Sequence, residues 1–274
     1  MELNLNHKTV VITGGATGIG RATAVEFLHE GANVAILGRR LAPLERFHDE
    51  MQREGYEVFC ESCDVTQAGH VRSYAQRVQE RFGSLDVWIN NAGVAIDKPF
   101  MQFTSEDWET ICSINLKAVF ECTQIAAACM MPQNSGVIIN ASSFCAKIPH
   151  ANGVLYAATK AAVSNMTKST AAALAPYGIR VLGYIPGMIV TPISERMVAQ
   201  YKEKFTNDIA LRRLGRPEDL AKPIVFFASD AAAYMTGFDI EISGGKFAVQ
   251  DCSLAWQLSA NEDKQSAAAS SANQ

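Results

Sequence analysis

Residues 8–20 read KTVVITGGATGIG, a β-rich run that breaks into glycines. Three of those glycines, Gly14, Gly18 and Gly20, are spaced GxxxGxG. Glycine accepts positive φ and lets a backbone approach a ligand closely. A strand that turns through such a segment into a helix offers free N–H groups and the positive end of the helix dipole, which suit a pyrophosphate. The spacing is not the GxGxxG of the common dinucleotide fingerprint, but the physics is shared. A tight βα turn with no ligand would use the same glycines. The place of this one, opening the first βαβ unit, favours a dinucleotide, with Gly14, Thr17, Gly18, Ile19 and Gly20 as the candidate cradle.

Outward from this turn, short apolar runs alternate with helical patterns. Strands are expected at Lys8–Thr13, Asn33–Leu37, Glu57–Cys63, Asp86–Ile89, Gly136–Asn140, Ile179–Ile185 and Asp239–Ile242. Helices are expected up to about Glu30 and over Leu41–Glu54, Gln67–Phe82, Glu106–Met131, Val154–Ala175 and Glu218–Ser229. Strand runs without strict alternation, separated by helices, imply a parallel sheet covered on both faces. The expected fold is α/β: one doubly wound, Rossmann-type, seven-stranded domain over residues 1–250. Residues 251–274 form a C-terminal extension, and its small, polar end SANEDKQSAAASSANQ (259–274) reads as disordered.

Composition narrows the function. Hydrophobic residues make up 48% of the 274, ample for a large core. The net charge is −4 and no Lys/Arg run exceeds Arg39–Arg40, so no nucleic-acid or anionic-membrane surface is expected. No apolar stretch reaches the ~18 residues of a membrane span. The start, MELNLNHKTVVITGG, shows no secretory signal. Seven scattered cysteines fit reduced thiols in a cytoplasmic compartment. Cys60 and Cys63 form a lone CxxC with no matching ligand pair, and the alternation in EVFCESCDV places both in a strand.

The second strand settles which dinucleotide is expected. NAD sites usually place a carboxylate at its end, on the ribose 2′-hydroxyl. Here the run is VAILGRR: Gly38 holds that position and Arg39 and Arg40 follow. Arginine takes a 2′-phosphate through paired N–H bonds. NADP(H) is therefore expected over NAD(H), against the alternative that both arginines are solvated helix-start residues.

Residues 155–163 read LYAATKAAV, with Tyr156 and Lys160 four apart and so on one helical face. Alone, that is an ordinary half-wet helix turn. Together with TGGATGIG, NNAG at Asn90–Gly93, a serine 13 residues before Tyr156, and a late PG, it resembles the short-chain dehydrogenase/reductase family over about residues 5–245. The resemblance implies a hydride-transferring oxidoreductase. It implies Ser143 as catalytic serine (Ser142 is the adjacent alternative), Tyr156 as acid/base, Lys160 as its partner and Asn115 as the residue completing a proton relay. It implies cofactor contacts at Asp64 and Val65, at Asn91, Ala92 and Gly93, and at Pro186, Gly187, Ile189 and Thr191. It also implies a homotetramer, with a homodimer as the alternative. The family often reads RVNxxxPG where this chain reads RVLGYIPG, so Leu182 suggests a missing buried hydrogen bond.

The chemistry explains the residue types. Hydride transfer to a ketone leaves an alkoxide that must gain a proton. A free tyrosine has a pKa near ~10, and a nearby ammonium would lower it. Ser143 at the end of a central strand can hydrogen-bond the substrate oxygen as charge develops. Open substrate classes are 3-oxoacyl thioesters, hydroxysteroids, and sugars or polyols. The carrier-protein version predicts a basic surface, which Arg196, Lys202 and Lys204 could supply and Glu195 and Glu203 dilute. Enoyl-thioester reduction and a non-catalytic NADP-binding role are weaker, because such relatives often lack the Tyr–Lys pair. A lid is expected over about 188–215. Met188, Ile193, Met197, Val198 and Tyr201, with Phe144, Ile148 and Ile96, are candidate pocket residues or lid packing.

Overall fold

The computed structural model describes residues 2–246, 248 and 250–259. The expected disorder of 260–274 lies outside the described residues, while Ser259 itself ends a short helical segment, 254–259. The strands are β1 (Thr9–Thr13), β2 (Asn33–Gly38), β3 (Val58–Ser62), β4 (Val87–Asn90), β5 (Gly136–Ala141), β6 (Ile179–Pro186) and β7 (Asp239–Ile242). They form one parallel sheet in the order β3-β2-β1-β4-β5-β6-β7. The chain winds outward from β1 to β3, returns across β1, and winds the other way from β4 to β7. The two connections diverge above the ends of β1 and β4, which leaves a crevice there.

The helices are α1 (Gly18–His29), α2 (Leu41–Arg53), α3 (Ala68–Phe82), α4 (Ser105–Cys112), α5 (Ala118–Met130), α6 (Val154–Leu174), α7 (Glu195–Asn207) and α8 (Pro217–Ala228). Strand alternation divides the core. Val10 and Ile12 join Phe27, Leu44, Phe47, Leu220 and Ile224 under α1, α2 and α8. Val11 joins Tyr74, Val78, Trp88, Ile125 and Met130 under α3 and α5. Both faces of the central strands are therefore apolar, which is why their sequences run hydrophobic without alternating.

Several sequence expectations change in detail. Cys60 packs against the first cluster and Cys63 lies in the second, one residue beyond β3, so the CxxC thiols face opposite sides of the sheet. The helix expected over Glu106–Met131 contains a π-helical segment, Ser113–Lys117. Asn115 lies inside it, fully buried, and its side-chain bonds to Val94 offset the poorer helix geometry (below). The lid contains α7, whose helical geometry breaks at Tyr201 (φ −128°, ψ 26°). Val198 is buried with Met188 and Ile209, so it packs the lid down.

Candidate active site

A cleft of about 1490 Å³ occupies the crevice above β1 and β4. Its floor begins at the glycine turn, where φ is +66° at Gly14 and +55° at Gly18. Gly14, Thr17, Gly18 and Ile19 line the cleft. Gly20 lies behind it for a steric reason: a Cβ there would be 2.5 Å from both Asn91 Nδ2 and the Gly14 carbonyl. Thr17 precedes α1 in extended conformation and makes no side-chain cap bond. The helix therefore opens toward the cleft without a side-chain cap on its first N–H groups. Across the cleft, Thr191 Cγ2 would stand 3.4 Å from a Cβ at Gly18.

Arg39 and Arg40 are exposed where β2 gives way to α2, and both line the cleft with Asp64 and Val65. A Cβ at Gly38 would meet nothing within 4 Å. Asp64 Oδ1 accepts from Thr66 N at 2.9 Å and Thr66 Oγ1 at 2.8 Å, fixing the turn into α3.

Asn91 ties the crevice together. Its Nδ2 donates to the carbonyls of Thr13 and Gly14 at 3.0 and 3.2 Å. Thr13 Oγ1 accepts from the N–H groups of Asn91 and Ala92, both at 2.9 Å. Asn91 Oδ1 accepts from the Tyr184 hydroxyl at 2.9 Å. The expectation attached to Leu182 concerns the same strand. Leu182 is fully buried in the apolar cluster beneath α1 and α8 and offers no polar group there, while Tyr184, two residues on and on the same strand face, supplies a hydrogen bond to Asn91. Tyr184 was not foreseen, although the same alternation, counted back from Pro186, points to it. Replacing it with Phe keeps the ring and removes the bond. We expect Tyr184→Phe to weaken binding of a nicotinamide dinucleotide about fivefold in a fluorescence titration, with kcat at saturation unchanged within about twofold. A lowered Tm with unaltered dinucleotide affinity would reduce Tyr184 to packing.

Ser143, Tyr156 and Lys160 converge at the carboxyl end of β5. Ser143 is buried, and its Oγ accepts from the Cys145 N–H at 3.1 Å. Ser142, the alternative, also lines the cleft, but its hydroxyl donates to the Lys160 carbonyl at 3.3 Å. Lys160 is buried and its Nζ donates to the Ala141 carbonyl at 2.7 Å, 5.9 Å from the Tyr156 ring centroid. Burial pulls the Lys160 ammonium down to about 8. Burial also pushes the Tyr156 hydroxyl up to about 12, against the opposing pull of the Ser143 side chain. The ammonium was expected to lower Tyr156; here it serves the Ala141 carbonyl, and desolvation prevails.

Asn115 does not line the cleft. Its Oδ1 accepts from Val94 N at 2.9 Å and its Nδ2 donates to the Val94 carbonyl at 2.8 Å. A Cβ at Gly93 would lie 3.3 Å from Asn115 Oδ1 and 3.6 Å from Lys160 Nζ, so that glycine keeps the two close. Ala92, Gly93, Pro186, Gly187 and Ile189 all line the cleft.

At the far end, Phe144, Ile148, Met188, Ile193, Met197 and Tyr201 line the walls. Ile96, expected among them, does not, although its neighbours Ala95 and Asp97 do. Asp97 pairs with His150 at 3.6 Å on the rim.

The family model for short chain dehydrogenases matches residues 8–202. A 3-oxoacyl-[acyl-carrier-protein] reductase from Staphylococcus aureus is 37% identical over 241 residues, covering 88% of this chain and 98% of that protein. A short-chain type dehydrogenase/reductase from Mycobacterium marinum superposes with a TM-score of 0.87 at 35% identity, over 90% of this chain and 98% of that one. A putative NAD(P)-dependent gluconate 5-dehydrogenase from Beutenbergia cavernae with bound NADP gives 0.86 at 29% identity, over 91% of this chain and 100% of that one. On these matches in sequence and fold, this chain is a member of the short-chain dehydrogenase family.

Proposed function

We propose that the protein is an NADP(H)-dependent oxidoreductase interconverting a ketone and a secondary alcohol. The observation that carries this reading is the convergence of Ser143, Tyr156 and Lys160 in the cleft that the glycine turn opens. The residues at the other end suit the cofactor: a side-chain-uncapped helix start for the pyrophosphate, and Arg39 and Arg40 for a 2′-phosphate. NADPH held there would supply the hydride.

This chain's residues handle the oxygen. Ser143 Oγ, held by the Cys145 N–H, hydrogen-bonds the carbonyl oxygen as it gains charge. Tyr156 holds its proton through neutral pH and delivers it to the alkoxide. Lys160, protonated below about 8, supports the phenolate left behind. Asn115 spends its side chain on Val94, so its share in proton resupply runs through its main chain in the π segment.

Substrate class stays broad on this reading. The Staphylococcus relative's name favours a 3-oxoacyl thioester, and exposed Arg196, Lys202 and Lys204 on α7 offer cations, interleaved with Glu195 and Glu203. The exposed Trp108 and Phe120 on α4 and α5 favour a homo-oligomer such as a tetramer. Among the described residues no helix is long and apolar enough to cross a membrane, and the seven cysteines form no disulfide; both suit a cytoplasmic enzyme. NADPH oxidation at 340 nm over diketones, ketoses, ketosteroids and 3-oxoacyl thioesters tests the proposal. Turnover of one class at kcat/KM above about 10⁴ M⁻¹s⁻¹ is the expected result, and no turnover of any class sinks it.

A further inference from the structure

Part of this chain lies outside its match to the Staphylococcus aureus reductase. The match to the Staphylococcus reductase uses 98% of that protein on 88% of this chain. Residues 250–258 are anchored beside the lid. Trp256 Nε1 donates to the Ala210 carbonyl at 2.9 Å, and the Arg212 guanidinium lies 5.9 Å from the Trp256 ring centroid. Arg212 Nη1 donates to Asn207 Oδ1 at 2.7 Å, at the end of α7, while Nη2 donates to the Ser253 carbonyl at 3.4 Å. Arg212 holds a φ of +53°, which a non-glycine residue adopts at a cost its contacts must offset. Asp251 Oδ1 accepts from Ser253 N at 2.8 Å, Ser253 Oγ at 2.7 Å and Leu254 N at 3.2 Å, which starts the helical segment 254–259.

This anchoring delivers backbone to the cleft. Gln250, Asp251, Cys252 and Ser253 line it beside Lys204, Phe205 and Asn207 of α7. Lys246, only 9% exposed, approaches Asp208 at 3.5 Å and lies 5.8 Å from the Phe205 ring centroid. The last turn of α7 is therefore held from two sides, by Lys246 and by the Arg212–Trp256 pair.

We propose that residues 250–258 are a specificity-determining clasp: anchored by Arg212 and Trp256, they fix the last turn of α7 and wall the substrate end of the cleft, favouring compact carbonyl compounds over long-chain ones. This rests on the carbonyl-reductase reading above. Releasing the anchor frees 250–253 to leave the cleft, which opens room for a chain.

The test uses the full chain with Trp256→Ala and, to separate the ring from its N–H, Trp256→Phe. Trp256 is half exposed, so neither change empties a core site. Substrates are diacetyl and the N-acetylcysteamine thioester of 3-oxododecanoate. In Trp256→Ala the ratio of kcat/KM, thioester over diacetyl, is expected to rise about tenfold, with NADPH affinity unchanged. Trp256→Phe should fall between. Amide hydrogen exchange over residues 198–209 should speed up in Trp256→Ala. A ratio within about twofold of the parent's overturns the proposal. If the parent reduces no carbonyl compound, the function reading fails and exchange alone decides the clasp: a lid exchanging at the parent's rate refutes it, and a faster lid sustains it.

Discussion

A Tyr156→Phe enzyme is expected to reduce its ketone about a thousandfold more slowly than the parent, with NADPH affinity within about twofold. The ring stays, so the cleft keeps its shape; only the proton donor is lost. Single-turnover oxidation of NADPH separates this from slow product release. Retention of more than about a tenth of the parent rate would remove Tyr156 from the chemistry. The pH profile gives the same assignment a second readout. Burial raises Tyr156 to about 12, so it carries its proton at every pH below that and does not limit reduction near neutrality. Burial lowers Lys160 to about 8, so its ammonium is present below that pH and lost above it. The profile of kcat/KM for reduction, which reports the free enzyme, is therefore expected to be level at neutral pH and to fall as pH rises through about 8. A profile rising through that range would contradict the role given to Lys160.

The parallel sheet was legible because its strands are buried on both faces. Val10, Val11 and Ile12 can only be that apolar, in that order, if helices cover each side. Spacing alone places Tyr156 and Lys160 on one helical face; their reading as a set with Ser143 comes from the family resemblance. What escaped depends on contacts between segments far apart in sequence. Tyr184 looked like one more strand residue; its bond to Asn91 spans 93 positions. The π segment at Ser113–Lys117 has no periodic signature, because one widened turn shifts the pattern too little to read. The direction of the Tyr156 shift was misjudged for a related reason. Sequence places an ammonium near a phenol, but only packing shows that the Ala141 carbonyl takes it.

Reversal of cofactor preference is the other large effect expected. Arg39→Asp should lower kcat/KM for NADPH about 100-fold, since it removes a charge-assisted phosphate partner and adds a like charge beside the 2′-phosphate. It should leave NADH use equal or better. Both arginines are exposed, so their attraction is screened by salt. The parent's KM for NADPH is accordingly expected to climb with KCl while its KM for NADH holds steady. Gly38 supplies an independent probe of the same site. Its missing side chain would meet nothing within 4 Å, so Gly38→Asp introduces a carboxylate without a clash, at the strand end where NAD sites usually carry one. That variant should favour NADH by repelling the phosphate and bonding the ribose hydroxyl. If Arg39→Asp and Gly38→Asp both keep the parent's preference, the end of β2 does not read the cofactor's phosphate. If only Gly38→Asp shifts it, Arg40 rather than Arg39 holds the phosphate, since an added carboxylate acts on either arginine.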